Sequence, residues 1–317
     1  MVATPLLILT AKKQSLSISI SIATIGLCLL FFSNTDIRLL AIIFISIGIS
    51  ISGYLIRFEA AETPSGAAYN KIAVNIGSVL SGLFLYFSIK NQTAFLLISI
   101  IIFVFIILLT INRTKHSIHT IQNNKFSRDP RIILGWIFLG ISIGIKMYSL
   151  YSLLPQYLLS QLKILPTWYG FLITINGLVI IFLQLPIMQL ITRSATNNGP
   201  LKITFTIMGS GMLLITALYL PIFTNIIILC VWVILLSLVE CAVSYLDVAG
   251  VKMNSLFIKE LFIGVGGGIC VLCGRLFSVH VASLMTGTIG LITMGIAILF
   301  LFPQLGGYGH RPPKQTL

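Results

Sequence analysis

Residues 93–111 read TAFLLISIIIFVFIILLTI, nineteen residues with no charge, no glycine and no proline. A helix rises about 1.5 Å per residue, so this run extends about 28 Å, close to the roughly 30 Å hydrocarbon core of a bilayer. Outward from it in both directions, apolar runs of similar length recur between short polar breaks, at 15–32, 38–56, 71–89, 131–153, 168–190, 201–220, 225–246, 261–279 and 282–302. The 317 residues are 57% hydrophobic and 9% charged, with a mean hydropathy of +1.06. Soluble domains carry about 25% charged residues, so the solvent for this chain is lipid. The sequence predicts an all-α polytopic membrane protein of about ten transmembrane helices.

The widest polar break, 113–130, divides the chain into 1–112, a bundle of four helices, and 131–303, a bundle of six, followed by a tail at 304–317. A formal net charge of +13 would suggest nucleic acid in a soluble protein, but here the basic residues sit in the connectors, which is a topology signal. With the N-terminus cytoplasmic, fifteen of the twenty Lys and Arg fall on the cytoplasmic side, among them Lys12, Lys13, Lys71, Lys252 and Lys259. Arg38, Lys90 and Lys163 fall outside, and Lys146 and Arg275 lie within spans. The even helix count places both termini in the cytoplasm, with the first span as an uncleaved anchor. The five cysteines all lie in apolar runs, and Cys270-x-x-Cys273 lacks the second pair or histidine that a metal site needs.

Several segments resemble the major facilitator superfamily, in particular its bacterial efflux branch. Leu154-Pro155-Gln156-Tyr157-Leu158, Tyr169-Gly170-Phe171-Leu172 and the run from Ile175-Asn176-Gly177-Leu178 to Gln184-Leu185-Pro186 are similar to that family's seventh and eighth helices. Glu240 resembles an acidic position in its tenth helix, and Glu59-Ala60-Ala61-Glu62-Thr63-Pro64 leading to Asn75-Ile76-Gly77 resembles the approach to its fifth. The ten runs then correspond to family helices three to twelve, so the first two are lacking. Phe44 stands where the family has an arginine, and Gly77 and Gly82 stand without the family's accompanying proline. The resemblance implies a secondary transporter of the bacterial cytoplasmic membrane that exports a small organic solute by alternating access, with protons as the coupling ion. Two alternatives stand beside it: a shortened, non-transporting membrane protein or scaffold, and a ten-helix drug/metabolite carrier built from two five-helix repeats.

Charged side chains within a span cost at least about 2.5 kcal/mol each on insertion scales, so Lys146, Arg275 and Glu240 are functional candidates. The run boundaries put Lys146 and Arg275 roughly 21–23 Å from the inner boundary and Glu240 roughly 8–10 Å from it. That spacing predicts that both cations line the substrate path with Tyr148, and that Glu240, two turns away, serves as a proton site or inner gate. Snorkelling of each charge to the nearer headgroups is the competing reading. Tyr151 and Trp136 are further aromatic candidates on the same helix. Arg57, Glu59 and Glu62 form a candidate inner-gate cluster, echoed by Asp247 and Lys252, and Pro186 is a candidate helix kink. The run Gly264, Gly266, Gly267 and Gly268, with Gly48, Gly53, Gly77 and Gly82, reads as small residues that let helices approach closely. His116 and His119 lack further ligands, and Asn91-Gln92-Thr93 is a sequon beside the membrane. There is no HExxH, GxSxG or Walker pattern, so the sequence points to no enzyme, cofactor or metal. The expected partners are the bilayer, a small-molecule substrate and protons, and no nucleic acid.

Overall fold

The computed structural model describes residues 15–32, 35–87, 92–111, 129–194 and 199–306. Every regular element among them is helical: α1 (Ser15–Leu29), α2 (Thr35–Ala60), α3 (Pro64–Tyr86), α4 (Gln92–Ile111), α5 (Pro130–Tyr148), α6 (Leu154–Leu162), α7 (Trp168–Thr192), α8 (Gly199–Thr216), α9 (Ile226–Lys252), α10 (Leu256–Leu276) and α11 (Val279–Gly306). A π-helical turn, Ser149–Leu153, joins α5 to α6, and two short 3₁₀ turns follow α8. Seven of the described helices are long and apolar enough to cross a membrane, counting α5 through α6 as one span, and α1 and α4 contain shorter apolar stretches. This is the architecture of a polytopic helical bundle, in which each span satisfies its own backbone hydrogen bonds away from water. Of the expected 113–130 linker, all but its last two residues lie outside the described residues, as do His116, His119 and Asn91.

Helix starts follow capping chemistry rather than the onset of hydrophobicity. The Thr63 side chain accepts from the Gly66 N–H at 3.0 Å with Pro64 in the first turn, so α3 begins seven residues before the apolar run at Lys71. Asp129 accepts from the Arg131 N–H at 2.9 Å ahead of Pro130, and Asn225 accepts from the Ile227 N–H at 2.8 Å. The fifth span also runs on past Leu153, the end expected from the apolar run. Pro155 lacks an N–H to continue an α ladder, and the chain passes it through the wider π turn and continues to Leu162. Two side chains take up carbonyls at this turn: the Tyr169 hydroxyl donates to Leu150 O at 3.0 Å, and Ser149 Oγ donates to Lys146 O at 2.6 Å. α7 passes through Pro186 without a break in the helix, and that proline is exposed.

The described residues form two compact units, one within 1–59 and 89–125, the other within 60–88 and 126–317. In the first, α1 and α2 meet on small residues. A Cβ at Gly48 would lie 2.5 Å from the Ala23 N and the Ser19 carbonyl oxygen, and one at Gly26 would lie 2.8 Å from the Ala41 carbonyl oxygen. In the second, α3 lies against α7 through Gly82, Gly170 and Gly177, and α5 against α10 through Gly140, Gly144 and Gly266. The packing role expected of glycines therefore applies to Gly48, Gly82, Gly266 and Gly267, whereas Gly53, Gly77 and Gly268 have no neighbour within 4 Å of a built Cβ.

The second unit contains two apolar clusters stacked along the helix axes. One gathers Leu150, Leu153, Leu154, Met212, Ile215, Leu229, Trp232 and Leu236, and the other Trp136, Leu139, Ile143, Phe205, Met208, Val243 and Leu246. Each of α5, α8 and α9 passes from one cluster to the other along its length. On α5 the changeover falls between Ile143 and Ile145, and on α9 between Leu236 and Val239. A polar layer occupies that level.

Candidate functional site

On α9 the polar residues Ser237, Glu240, Ser244 and Asp247 recur at intervals of three and four, which places them on one helix face. All four are buried. At the changeover between the apolar clusters, Lys71 Nζ donates to Glu240 Oε1 at 2.6 Å and Lys146 Nζ donates to Glu240 Oε2 at 3.1 Å. One carboxylate thus bridges ammonium groups from α3 and α5. Lys146 is 3% exposed, Glu240 6%, and the Lys71 side chain 16%. Coulombic attraction is little screened at such burial, and removing one partner from a buried pair is strongly destabilising.

The bridge is set in a wider network. Ser237 Oγ donates to Asn176 Oδ1 at 2.8 Å, and Asn176 Nδ2 reaches the Tyr151 hydroxyl at 3.5 Å. One turn further along α9, Gln184 Nε2 donates to Ser244 Oγ at 2.6 Å and to the Cys241 carbonyl at 3.1 Å. The buried Asn75 donates to the Lys71 carbonyl at 2.8 Å, tying the α3 backbone beside the lysine. A second buried charge cluster lies two turns along α9, where Lys259, 0% exposed, is hydrogen-bonded to Asp247 and sits 2.8 Å from Glu260.

These positions correct several expectations. Lys146 and Glu240 are partners, not two turns apart in depth. The sequence estimate ended the fifth span at Leu153, whereas the span covers Pro130–Leu162 and Lys146 stands at its middle, as Glu240 does within Ile226–Lys252. Lys71 and Lys259, read as connector residues, are site and cluster members because α3 and α10 start earlier than their apolar runs. Arg275 does not share the level of Lys146; it is exposed in the last turn of α10. Asp247 is bonded to Lys259, and Lys252 is exposed.

The other candidates are dispersed. The Tyr148 ring covers Gly267 on α10, where a Cβ would come within 2.5 Å of it, so its contact is helix packing. Trp136 is buried in an apolar cluster, while Tyr151 stands beside the polar layer. Arg57 is half-buried in the last turn of α2 with Glu59 exposed beside it, both in the first unit, and Glu62 is exposed in the following connector. Among the described residues, no group of three His, Cys, Asp or Glu could hold a metal. The layer can therefore hold charge and donate hydrogen bonds from Lys71, Lys146, Asn176 and Tyr151, with Glu240 as the carboxylate. In comparison with known proteins, no family model and no curated protein sequence matches the chain.

Proposed function

We propose that the protein is a secondary transporter of a small organic solute, working by alternating access with Glu240 as the coupling carboxylate. The observation that carries this reading is the Lys71–Glu240–Lys146 bridge, buried where the two apolar clusters meet, with Lys146 and Glu240 at the middle of two long apolar spans. Ionised groups inside a membrane bundle are expensive to bury and mark solute or proton pathways. A proton on Glu240 weakens its hold on both lysines at once, which couples proton binding to the contacts among α3, α5 and α9.

A major facilitator-like plan of ten helices, four and six, with both termini in the cytoplasm of a bacterial cell, fits this reading. In that plan α3 belongs to the first part and α5 and α9 to the second. In the structure α3, α5 and α9 lie in one compact unit, so the bridge ties α3 to α5 and α9 within that unit. Arg57, Glu59 and Glu62 remain gate candidates in this proposal, and Tyr148 and Arg275 leave the path.

Purified protein in liposomes, given a panel of cationic, neutral and anionic solutes with and without a pH gradient, tests the proposal. Wild type and Arg275→Gln should give gradient-sensitive flux that Lys146→Ala and Glu240→Gln abolish. Absence of flux from well-folded wild type across the panel would refute it, as would full flux in both site variants.

A further inference from the structure

The polar layer holds two ammonium groups and one carboxylate. Among the described residues no other carboxylate pairs with Lys71 or Lys146, so the cluster carries one formal positive charge in excess. Each ammonium has three N–H donors, and each has one engaged on Glu240. Donors therefore remain on both lysines after the bridge has formed. The layer has an edge at the surface of the helix bundle, where Tyr151 is 41% exposed and the Lys71 side chain 16%. The Tyr151 hydroxyl and the Asn176 amide stand 3.5 Å apart at that edge, at the long limit of a hydrogen bond.

Charge balance then selects the ligand. In a medium that screens poorly, the favoured addition is the one that brings net charge to zero. A monoanion does this, a dianion overshoots, a neutral solute leaves the excess in place, and a cation doubles it. We propose that Lys71 and Lys146 together bind a small organic monoanion, a carboxylate or sulfonate, beside Glu240. This names the substrate class of the transport site and rests on that reading of the layer. Glu240 then acts as a built-in competitor that sets both affinity and charge selectivity.

The test is calorimetric titration of the protein in lipid nanodiscs with acetate, benzoate, succinate and choline as probes. Wild type should bind acetate or benzoate but neither succinate nor choline. Lys71→Gln and Lys146→Gln should each weaken monoanion binding about tenfold to a hundredfold, the loss of a charge-assisted hydrogen bond. Glu240→Gln should tighten monoanion binding and admit succinate, since the cluster then carries two excess charges. Monodispersity on size-exclusion chromatography checks each variant, and the more exposed Lys71→Gln serves if Lys146→Gln does not fold. Failure of both monoanions to bind wild type and Glu240→Gln overturns the inference, as does binding unchanged in both lysine variants. Monoanion binding without liposome flux would keep this site and overturn transport; flux of a cation or neutral solute without monoanion binding would do the reverse.

Discussion

Replacing Glu240 with Gln nearly preserves the shape of the side chain and removes the charge that Lys71 and Lys146 share at 2.6 and 3.1 Å. Unit charges 4 Å apart interact by about 4 kcal/mol at an effective dielectric constant of about 20. Each lysine loses an attraction of that order and is left with the other as a close like charge. The amide oxygen still accepts one hydrogen bond, which offsets part of the loss. The expected cost is about 3–5 kcal/mol, the range for removing one partner from a buried pair. Thermal unfolding in nanodiscs, followed by tryptophan fluorescence, reads it, because Trp136 and Trp232 sit in the two different apolar clusters. At about 2 °C or more per kcal/mol, both should report a midpoint lower by several degrees. A triple variant, Lys71→Met with Lys146→Met and Glu240→Met, removes every charge in the bridge. It should match or exceed wild-type stability by about 1–4 kcal/mol and carry no flux. A Glu240→Gln midpoint equal to that of wild type would refute the reasoning, since the carboxylate would then not be holding buried lysines.

The close approach of α3 and α7 predicts that Gly82→Val destabilises by about 1–3 kcal/mol or more, because a Cβ there would sit 2.5 Å from Thr174 Oγ1 and 2.7 Å from the Gly170 carbonyl oxygen. Gly268→Ala, with nothing within 4 Å, should be neutral or gain up to about 1 kcal/mol of helix propensity in the same unfolding assay. Lys259→Met takes the cation from between Asp247 and Glu260 and should cost about 3–5 kcal/mol. Adding Asp247→Asn to it should recover part of that loss, and thermal midpoints of the two variants measure the difference.

The helical class and the membrane setting were legible in composition and in runs such as 93–111, because hydropathy averages over many residues and tolerates errors at the ends. The site was less legible, because depth in a span depends on where the helix starts and stops. Lys71 was read at a boundary although Thr63-Pro64 announces a helix start two turns earlier. The apolar run 131–153 puts Lys146 near the far side, whereas a π turn carries the span on past Pro155 to Leu162. The stripe of Ser237, Glu240, Ser244 and Asp247 was open to a period count and marks the inward face of α9 without further information. Which lysines meet its two carboxylates was not legible, since that pairing depends on how α3, α5 and α10 pack, and pattern along one helix carries no record of its neighbours.

In the proposed transport cycle, the two apolar clusters that meet at the polar layer would act as two seals in series. Water or ions that pass one of them would reach the charged layer with the other still closed. If each seal is open for about 1% of the time and the two open independently, both stand open together for about 10⁻⁴ of it, so the leak falls as the product of the two probabilities while exchange with either side falls only as one. Widening a single seal by trimming Leu236 or Ile143 would therefore raise solute access on one side about in proportion, yet leave the barrier to free ion flow standing in the seal that was not touched.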